Sequence, residues 1–474
     1  MLQQIRKWFA PRDMTKGTPW KVIAAFAVPM LIGNFAQQLY NTVDSAVVGQ
    51  YVGLEAFAAV NSATPAMMLL LALFMGISTG AGIRVSQYFG AKDRENLSVV
   101  IGNCLTLTAL TSAIIMVVGT ISIDPLLRLF NTPEAIFGMT STYLRVIFIG
   151  VAGSLYYNIL SGILRGLGDS LSALGFLLLS AALNVVLDLW FVISFGWGVF
   201  GVALATVISQ VVSAVLAYIK LTRMKESFEL TRDTFRLRGE VVKDIIKLGV
   251  PAGVTQMIFS LAMMMVLRLE NSFGVDFVAT ASLVKRVDGY AMMPNFSFGM
   301  AMTTYIGQNV GARKFDRLKT GARQGTIMAV LVATVLTGLI LVFGRGIMHI
   351  FTNEEHIIDL AMVMMRILAL GYIAMAVLQC MGGVMRGAGD TVTPMAISIA
   401  TSVFIRVILA YALVEISKTP ELPNGRPEMI YVSLLITWLS GAFINYLAYR
   451  YGRWRRKLPQ AGEHAPEEPV MEGQ

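Results

Sequence analysis

Charge is scarce in this sequence of 474 residues: Asp, Glu, Lys and Arg make up 14% of it, against about 25% in an average soluble domain. So little charge cannot clothe several soluble domains in polar surface, which excludes the water-soluble classes. Cysteine is nearly absent: Cys104 and Cys380 stand alone, each in an apolar stretch. A disulfide framework is thereby excluded, and the two read as packing residues rather than a redox pair. The three histidines, His349, His356 and His464, lack metal-ligand spacing, and neither a nucleophile elbow nor an HExxH helix occurs. An enzyme is not expected, and no cofactor is implied. No cleavable signal peptide is read, because Met1–Lys21 is polar and basic and the apolar run after it continues too far.

What the sequence has instead is apolar length. Hydrophobic residues make up 55%, in runs of 18 or more that are too long for core helices of a soluble protein. The reading is an all-α integral membrane protein with twelve transmembrane helices. Their cores fall near 21–45, 58–83, 97–121, 137–160, 171–194 and 199–220, then 247–271, 280–307, 321–344, 357–382, 391–416 and 429–450. The net charge of +9 would suggest nucleic acid in a soluble protein. Here the N-terminus, the loops after even-numbered spans and the tail hold 28 of the 38 Lys and Arg. That asymmetry is topological, so both termini are expected in the cytoplasm of a multi-pass plasma (inner) membrane protein, with lipid rather than nucleic acid around it. Arg145, Arg268, Lys285, Arg286, Arg366 and Arg406 stay in or near spans, where snorkelling or pairing is expected.

The chain also repeats itself. LRGLGDS around residue 165 returns as MRGAGDT around 386, and at the same offset of 221 Gln87 of QYFGAK meets Gln308 of QNVGAR. Arg145 meets Arg366 and Gly150 meets Gly371, while Pro29 meets Pro251 with a shift of one. The expected organisation is a cytoplasmic segment 1–20, a six-helix bundle 21–220, a basic linker 221–243, a second bundle 244–452 and a disordered tail 453–474. Each half starts and ends on the same side, so the repeats are parallel and pseudo-symmetric about the membrane normal, an arrangement suited to alternating access. The Gly-rich RGxGD and QxxGA loops read as structural turns, with Arg165/Asp169 and Arg386/Asp390 available for pairing. They are not phosphate loops, since no strand precedes them and the Lys-Ser/Thr ending is missing.

Intramembrane carboxylates need a reason to exist. Asp44 ends a polar stripe of Asn34, Gln37 and Asn41 on the first span, with Tyr40 one turn before it. On the fifth span Ser180, Asn184 and Asp188 recur every four residues and share a face. Asn158 on the fourth span, and Thr206 and Gln210 on the sixth, complete a candidate ion-coupling and substrate-binding pocket in the N-terminal half. Such a pocket can carry a proton or hold Na⁺ at Asp44, Asn184 and Asp188. The competing structural reading places both aspartates at the outer interface, where a solvated carboxylate is cheap. Pro29, inside the first span, reads as either a hinge or a static bend. The methionines of the second half, Met257, Met263–Met265, Met292, Met293, Met300 and Met302, read as packing or as a pliable ligand surface.

The duplicated RGxGD and QxxGA motifs, the paired prolines and the span count resemble the multidrug and toxic compound extrusion (MATE) family over roughly residues 20–450. The resemblance implies two six-helix bundles around a V-shaped cleft and the export of small organic, cationic compounds in exchange for H⁺ or Na⁺. Asp44 and the Asn184–Asp188 pair match the DinF-like branch, with Tyr40, Asn158 and Thr206 at its accessory polar positions. The acid of the seventh helix in the NorM-like branch has no counterpart before Glu270, which leaves Asp288 as the C-terminal candidate, with Lys285 and Arg286 as its nearest partners. A flippase for lipid-linked saccharides is the alternative; it would line its cleft with Arg or Lys. A single chain is expected to act as a monomer.

Overall fold

A computed structural model describes residues 11–129, 131–452 and 454–455. The helices are α1 (Pro19–Val47), α2 (Leu54–Ala91), α3 (Arg94–Leu129), α4 (Glu134–Ile149), α5 (Val151–Gly166), α6 (Ser170–Leu189) and α7 (Gly198–Thr222) in the first half. The second half holds α8 (Gly239–Asn271), α9 (Val275–Gly311), α10 (Phe315–His349), α11 (Glu355–Gly387), α12 (Val392–Ile399), α13 (Arg406–Ile416) and α14 (Glu428–Tyr451). The pairs α4–α5 and α12–α13 each trace one path, the first bent by 55° and the second joined by the π-helical turn Ala400–Ile405. Twelve helical paths result. Nine continuous helical paths, α12–α13 among them, are long and apolar enough to cross a bilayer, and the α4–α5 pair makes ten, among the described residues. Helices α2 and α9, of 38 and 37 residues, complete the set. The only extended pairing among the described residues is the isolated bridge between Thr419 and Leu422.

Apolar burial divides along the duplication. One cluster, with Val85, Ile101, Phe148 and Leu164, lies in the first half, and another, with Val284, Met364, Leu368 and Trp438, in the second. A third joins Met14, Ile23 and Phe26 to Met302, Tyr305 and Val384, so the start of the chain packs onto the second half. The connection between halves is ordered: Asn103 on α3 donates through Nδ2 to the Thr234 and Arg236 carbonyls (3.1 and 3.0 Å), and its Oδ1 accepts the Arg238 N–H (2.7 Å). The tail beyond 455 lies outside the described residues. Cys104 and Cys380 are free and buried. The methionines split: Met292, Met293 and Met302 are buried, and Met263, Met264 and Met265 are exposed.

The helix ends form two opposite rims. Lys92, the 223–238 connection and Arg313 mark the basic end. Trp190, Phe191, Phe195, Trp197 and Phe200 stack at the far end, where α6 turns into α7, as aromatic side chains do at a membrane interface. Toward the basic end the two halves touch backbone to backbone. A Cβ on Gly76 of α2 would stand 2.4 Å from the Gly249 carbonyl oxygen of α8, an approach only glycine allows.

Candidate functional site

Chain geometry brings an acidic pair together within the first half. Asp188 lies in the last turn of α6 and Asn184 one turn before it, and both are 0% exposed. The Asn184 amide lies 2.8 Å from Asp188 Oδ2 and 3.1 Å from the Thr206 nitrogen of α7; those partners assign its Nδ2 as donor to Asp188 and its Oδ1 as acceptor from Thr206. From α1, the Asp44 carboxyl reaches hydrogen-bond contact with that of Asp188. Tyr40 lies near Thr206 and stands in the electrostatic range of both acids. Asp44 Oδ1 and Asp188 Oδ1 are buried and make no hydrogen bond to the protein. Asp188 sits roughly 27 Å along α6 from the basic end, at about 1.5 Å per residue. It is near the far end, yet walled off from solvent.

One member of this cluster has no signal in the sequence. Tyr143 on α4, 6% exposed, feels the charges of Asp44, Tyr40 and Asp188. A lone aromatic in an apolar span looks like any core residue. Other expected residues lie elsewhere. Asn158 donates back to the Ser154 carbonyl (2.8 Å) on its own helix, and its carbonyl accepts the Ser78 hydroxyl (3.0 Å). It is about 12 Å from the basic end of α5, well away in depth from Asp188. Asn34 turns to the other half, donating to Ser297 Oγ on α9 at 2.9 Å. Gln37 is part-buried and the side chain of Asn41 lies outside the described residues, while Ser180 is buried on the Asp188 face and Gln210 Oε1 is buried without a partner. Among the described residues no three His, Cys, Asp or Glu side chains converge as metal ligands.

The second half holds a compensated charge cluster. Lys285 donates to Glu270 at 2.5 Å, and Asp288 accepts the Tyr372 hydroxyl. Asp288 therefore does not take Arg286 as its hydrogen-bond partner; that guanidinium lies over the Phe351 ring at 5.3 Å. Arg406, 9% exposed, supplies a second positive charge near Glu270 and Asp288.

At the basic end the duplicated motifs engage crosswise. Gln87 of the first half donates to the Gly387 carbonyl in the second half's RGxGD motif (3.0 Å), and Gln308 of the second half donates to the Gly166 carbonyl in the first (3.1 Å). Their glycines interlock the same way. A Cβ on Gly90 would lie 1.9 Å from the Gln308 oxygen, and one on Gly311 would lie 1.8 Å from the Gln87 oxygen. Gln308 Oε1 also accepts the Met14 N–H at 2.8 Å. The RGxGD aspartates serve as helix caps: Asp169 accepts from Ser172 N (2.9 Å) and Oγ (2.7 Å), and Asp390 from Thr393 Oγ1 (2.6 Å). Asp169 faces Lys220 at 3.8 Å, so the expected pairing with Arg165 is replaced by a cap and a different cation. These turns use Gly168 and Gly389 at φ +83° and +90°.

The sequence profile of the MatE family matches residues 29–190 and again 251–412, one match in each half. The chain belongs to the MatE family. Among its MATE relatives, Probable multidrug resistance protein YoeA of Bacillus subtilis (strain 168) is 31% identical over 433 residues, 90% of this chain and 94% of that protein. Probable multidrug resistance protein NorM of Thermotoga maritima is 25% identical, covering 94% of this chain and 96% of its own. The solved structure titled "Outward-facing conformation of a multidrug resistance MATE family transporter of the MOP superfamily" matches with TM-score 0.86 at 25% identity, over 94% of this chain and 98% of that one. Structures of MATE in the straight and in the bent conformation both match at TM-score 0.86, with 26% and 25% identity. The protein is a multi-pass MATE transporter, with the family's twelve helices in two bundles.

Proposed function

We propose that this MATE transporter exports small organic compounds, cationic ones among them, in exchange for protons taken up at the Asp44–Asp188 pair. The observation that carries the reading is the contact between the two carboxyl groups. Two buried carboxyls so close cannot both ionise freely, and one proton shared between them relieves the repulsion. The choice of H⁺ over Na⁺ rests on that closeness, with Asn184 beside Asp188 and able to donate to the carboxyl left ionised. The names of the relatives, multidrug resistance proteins, support organic substrates, and an acidic pocket favours cations over anions.

In this reading the basic end is cytoplasmic, as the Lys and Arg distribution requires of a plasma-membrane protein. The halves meet there, and the acidic pair lies toward the outer face. Protonation removes charge from a buried pair and so favours one packing of α1 against α6, which is what a ligand must do to shift a two-state equilibrium. Each inward positive charge adds ~2.3 kcal/mol per 100 mV. Pro29, buried within α1, is the hinge of that helix, and the acidic cluster supports the resemblance to the DinF-like branch. A flippase would need cations along the cleft at bilayer depth. The inter-half cations instead sit at the basic end, within about 12 Å of the helix ends at ~1.5 Å per residue.

The test is uptake of a fluorescent organic cation by proteoliposomes under a pH gradient or a sodium gradient, with Asp44→Asn and Asp188→Asn alongside. Transport driven by ΔpH and lost in both variants is expected. Sodium-driven transport would replace the proton by a metal ion, and full coupled transport in folded Asp44→Asn and Asp188→Asn proteins would remove the pair from the mechanism.

A further inference from the structure

Between the halves at the basic end lies a cavity of about 960 Å³, at the upper end of the ~300–1,000 Å³ range of small-molecule sites. Its wall carries Lys16, Arg84, Lys92, Lys247, Arg313 and Lys314 against two acids, Asp93 and Asp244. Lys16 also pairs with Asp13 just outside the wall (3.6 Å), so six cations face three carboxylates, an excess of three positive charges. Asp244 is committed to Arg84 at 2.5 Å, and Asp93 accepts from Asn96. The electrostatics is therefore that of an anion site.

Two of these cations stand in a backbone conformation that needs a reason. Lys92 and Arg313 both have φ +55°, the left-handed region in which glycine or asparagine is usual. They are the last residues of QYFGAK and QNVGAR, at equivalent positions of the two repeats. Glycine would cap either helix with less strain, yet both repeats keep a long cation that lines this one cavity. A helix C-terminus alone would favour positive charge, but any residue of the last turn could supply it.

We infer that this cavity binds a polyanion bearing two phosphate groups, clasped between Lys92 of one repeat and Arg313 of the other. Two phosphate groups complement that excess, a diester bringing one negative charge apiece and a soluble diphosphate more. The shared chemistry is phosphate, presented either by a soluble diphosphate or by the headgroup of a bisphosphate lipid such as cardiolipin. Because Arg84 and Lys92 belong to the first half, and Lys247, Arg313 and Lys314 to the second, the ligand holds the halves together at this end. Binding to that state alone stabilises it.

The experiment titrates sodium pyrophosphate onto the purified protein in uncharged detergent, at ionic strength fixed with chloride, and reads the thermal unfolding midpoint. A second arm compares phosphatidylcholine nanodiscs with and without cardiolipin. The expected result is a saturable rise in midpoint in at least one arm. Lys92→Gln/Arg313→Gln weakens half-saturation at least tenfold, whereas Arg223→Gln, on the connection outside the cavity, leaves it within twofold. Should the double variant fold poorly, Lys247→Gln serves in its place, with a several-fold loss. A response to pyrophosphate assigns a soluble ligand, and one confined to cardiolipin assigns the headgroup. An equal rise with chloride alone, unchanged half-saturation in the cavity variants, or no rise in either arm overturns the site. None of these readouts depends on the acidic pair.

Discussion

Replacing Gln308 by alanine should open the basic end of the transporter more than replacing Gln87, although the two are equivalent positions of one repeat. Gln308 is 0% exposed; it donates across the halves to the Gly166 carbonyl (3.1 Å) and accepts the Met14 N–H (2.8 Å) of the segment that packs on its own half. Truncation strands the fully buried Gly166 carbonyl, which costs the closed state about 1–3 kcal/mol. When the halves part, water satisfies that carbonyl, so the penalty falls on the closed state alone; the Met14 N–H is stranded in both states. Gln87→Ala strands only the Gly387 carbonyl, because its other partner, Arg84, keeps Asp244. That bond is only part-buried, so water reaches the carbonyl and the cost there is at the low end of about 1–3 kcal/mol. Spin labels at Glu95 on α3 and Lys319 on α10, both exposed, report the separation, and the buried native cysteines need not be removed. At ~1.4 kcal/mol per tenfold, the open fraction should rise about fivefold or more in Gln308→Ala and less in Gln87→Ala. An unchanged distance distribution in Gln308→Ala, or the reverse ranking, would refute the crosswise account.

Other outcomes follow from the same contacts. Gly311→Ala puts a methyl 1.8 Å from the Gln87 oxygen, so it should separate the halves at a cost of ~1–3 kcal/mol or more, visible with the same labels. Asn103→Ala removes the anchors of the 223–238 connection; a loss of roughly 2–4 kcal/mol should appear as a lower unfolding midpoint and faster proteolysis of that segment. Tyr143→Phe keeps the ring and deletes only the hydroxyl beside the acids, so coupled transport should fall while the unfolding midpoint stays put. Unaltered transport would reduce Tyr143 to packing.

Much of this was legible because membrane solvation writes itself into composition. Twelve paths follow from apolar length, and the duplication from motifs that recur at a fixed offset. The acidic pair was legible as well, since Asp in hydrocarbon is rare enough to stand out and Asn184 shares its helix face. Side-chain direction across helices was not. Periodicity puts Asn34 and Asp44 on one stripe, but the stripe crosses a boundary: Asn34 meets Ser297 of the second half, and Asp44 meets Asp188 of the first. Asn158 looked like a pocket residue because it is polar and in the right bundle, but depth decides, and it sits nearer the basic end. The exchange of Gln87 and Gln308 between halves depends on which helices cross, something spacing within one repeat does not encode.

Symmetry in one place and its absence in another point to a division of labour. The lock at the basic end is built twice, from residues that match at an offset of 221. The acids are not duplicated: 221 residues beyond Asp44 and Asp188 stand Met265 and Leu409. In the proposed reading an ion acts on the first half, and α1 is the element placed to transmit the effect. It carries Asp44 near one end and Pro29 in its body, touches α9 through Asn34–Ser297 and Phe35–Tyr290, and continues back to Met14, which Gln308 holds. Spatial continuity alone does not establish coupling; a double-mutant cycle does. If α1 carries the signal, Asp44→Asn and Gln308→Ala should shift the label distances non-additively, with an interaction energy of at least ~0.5 kcal/mol. Strict additivity would mean that the acids and the lock work independently, and would move the search for coupling to α6 and α7.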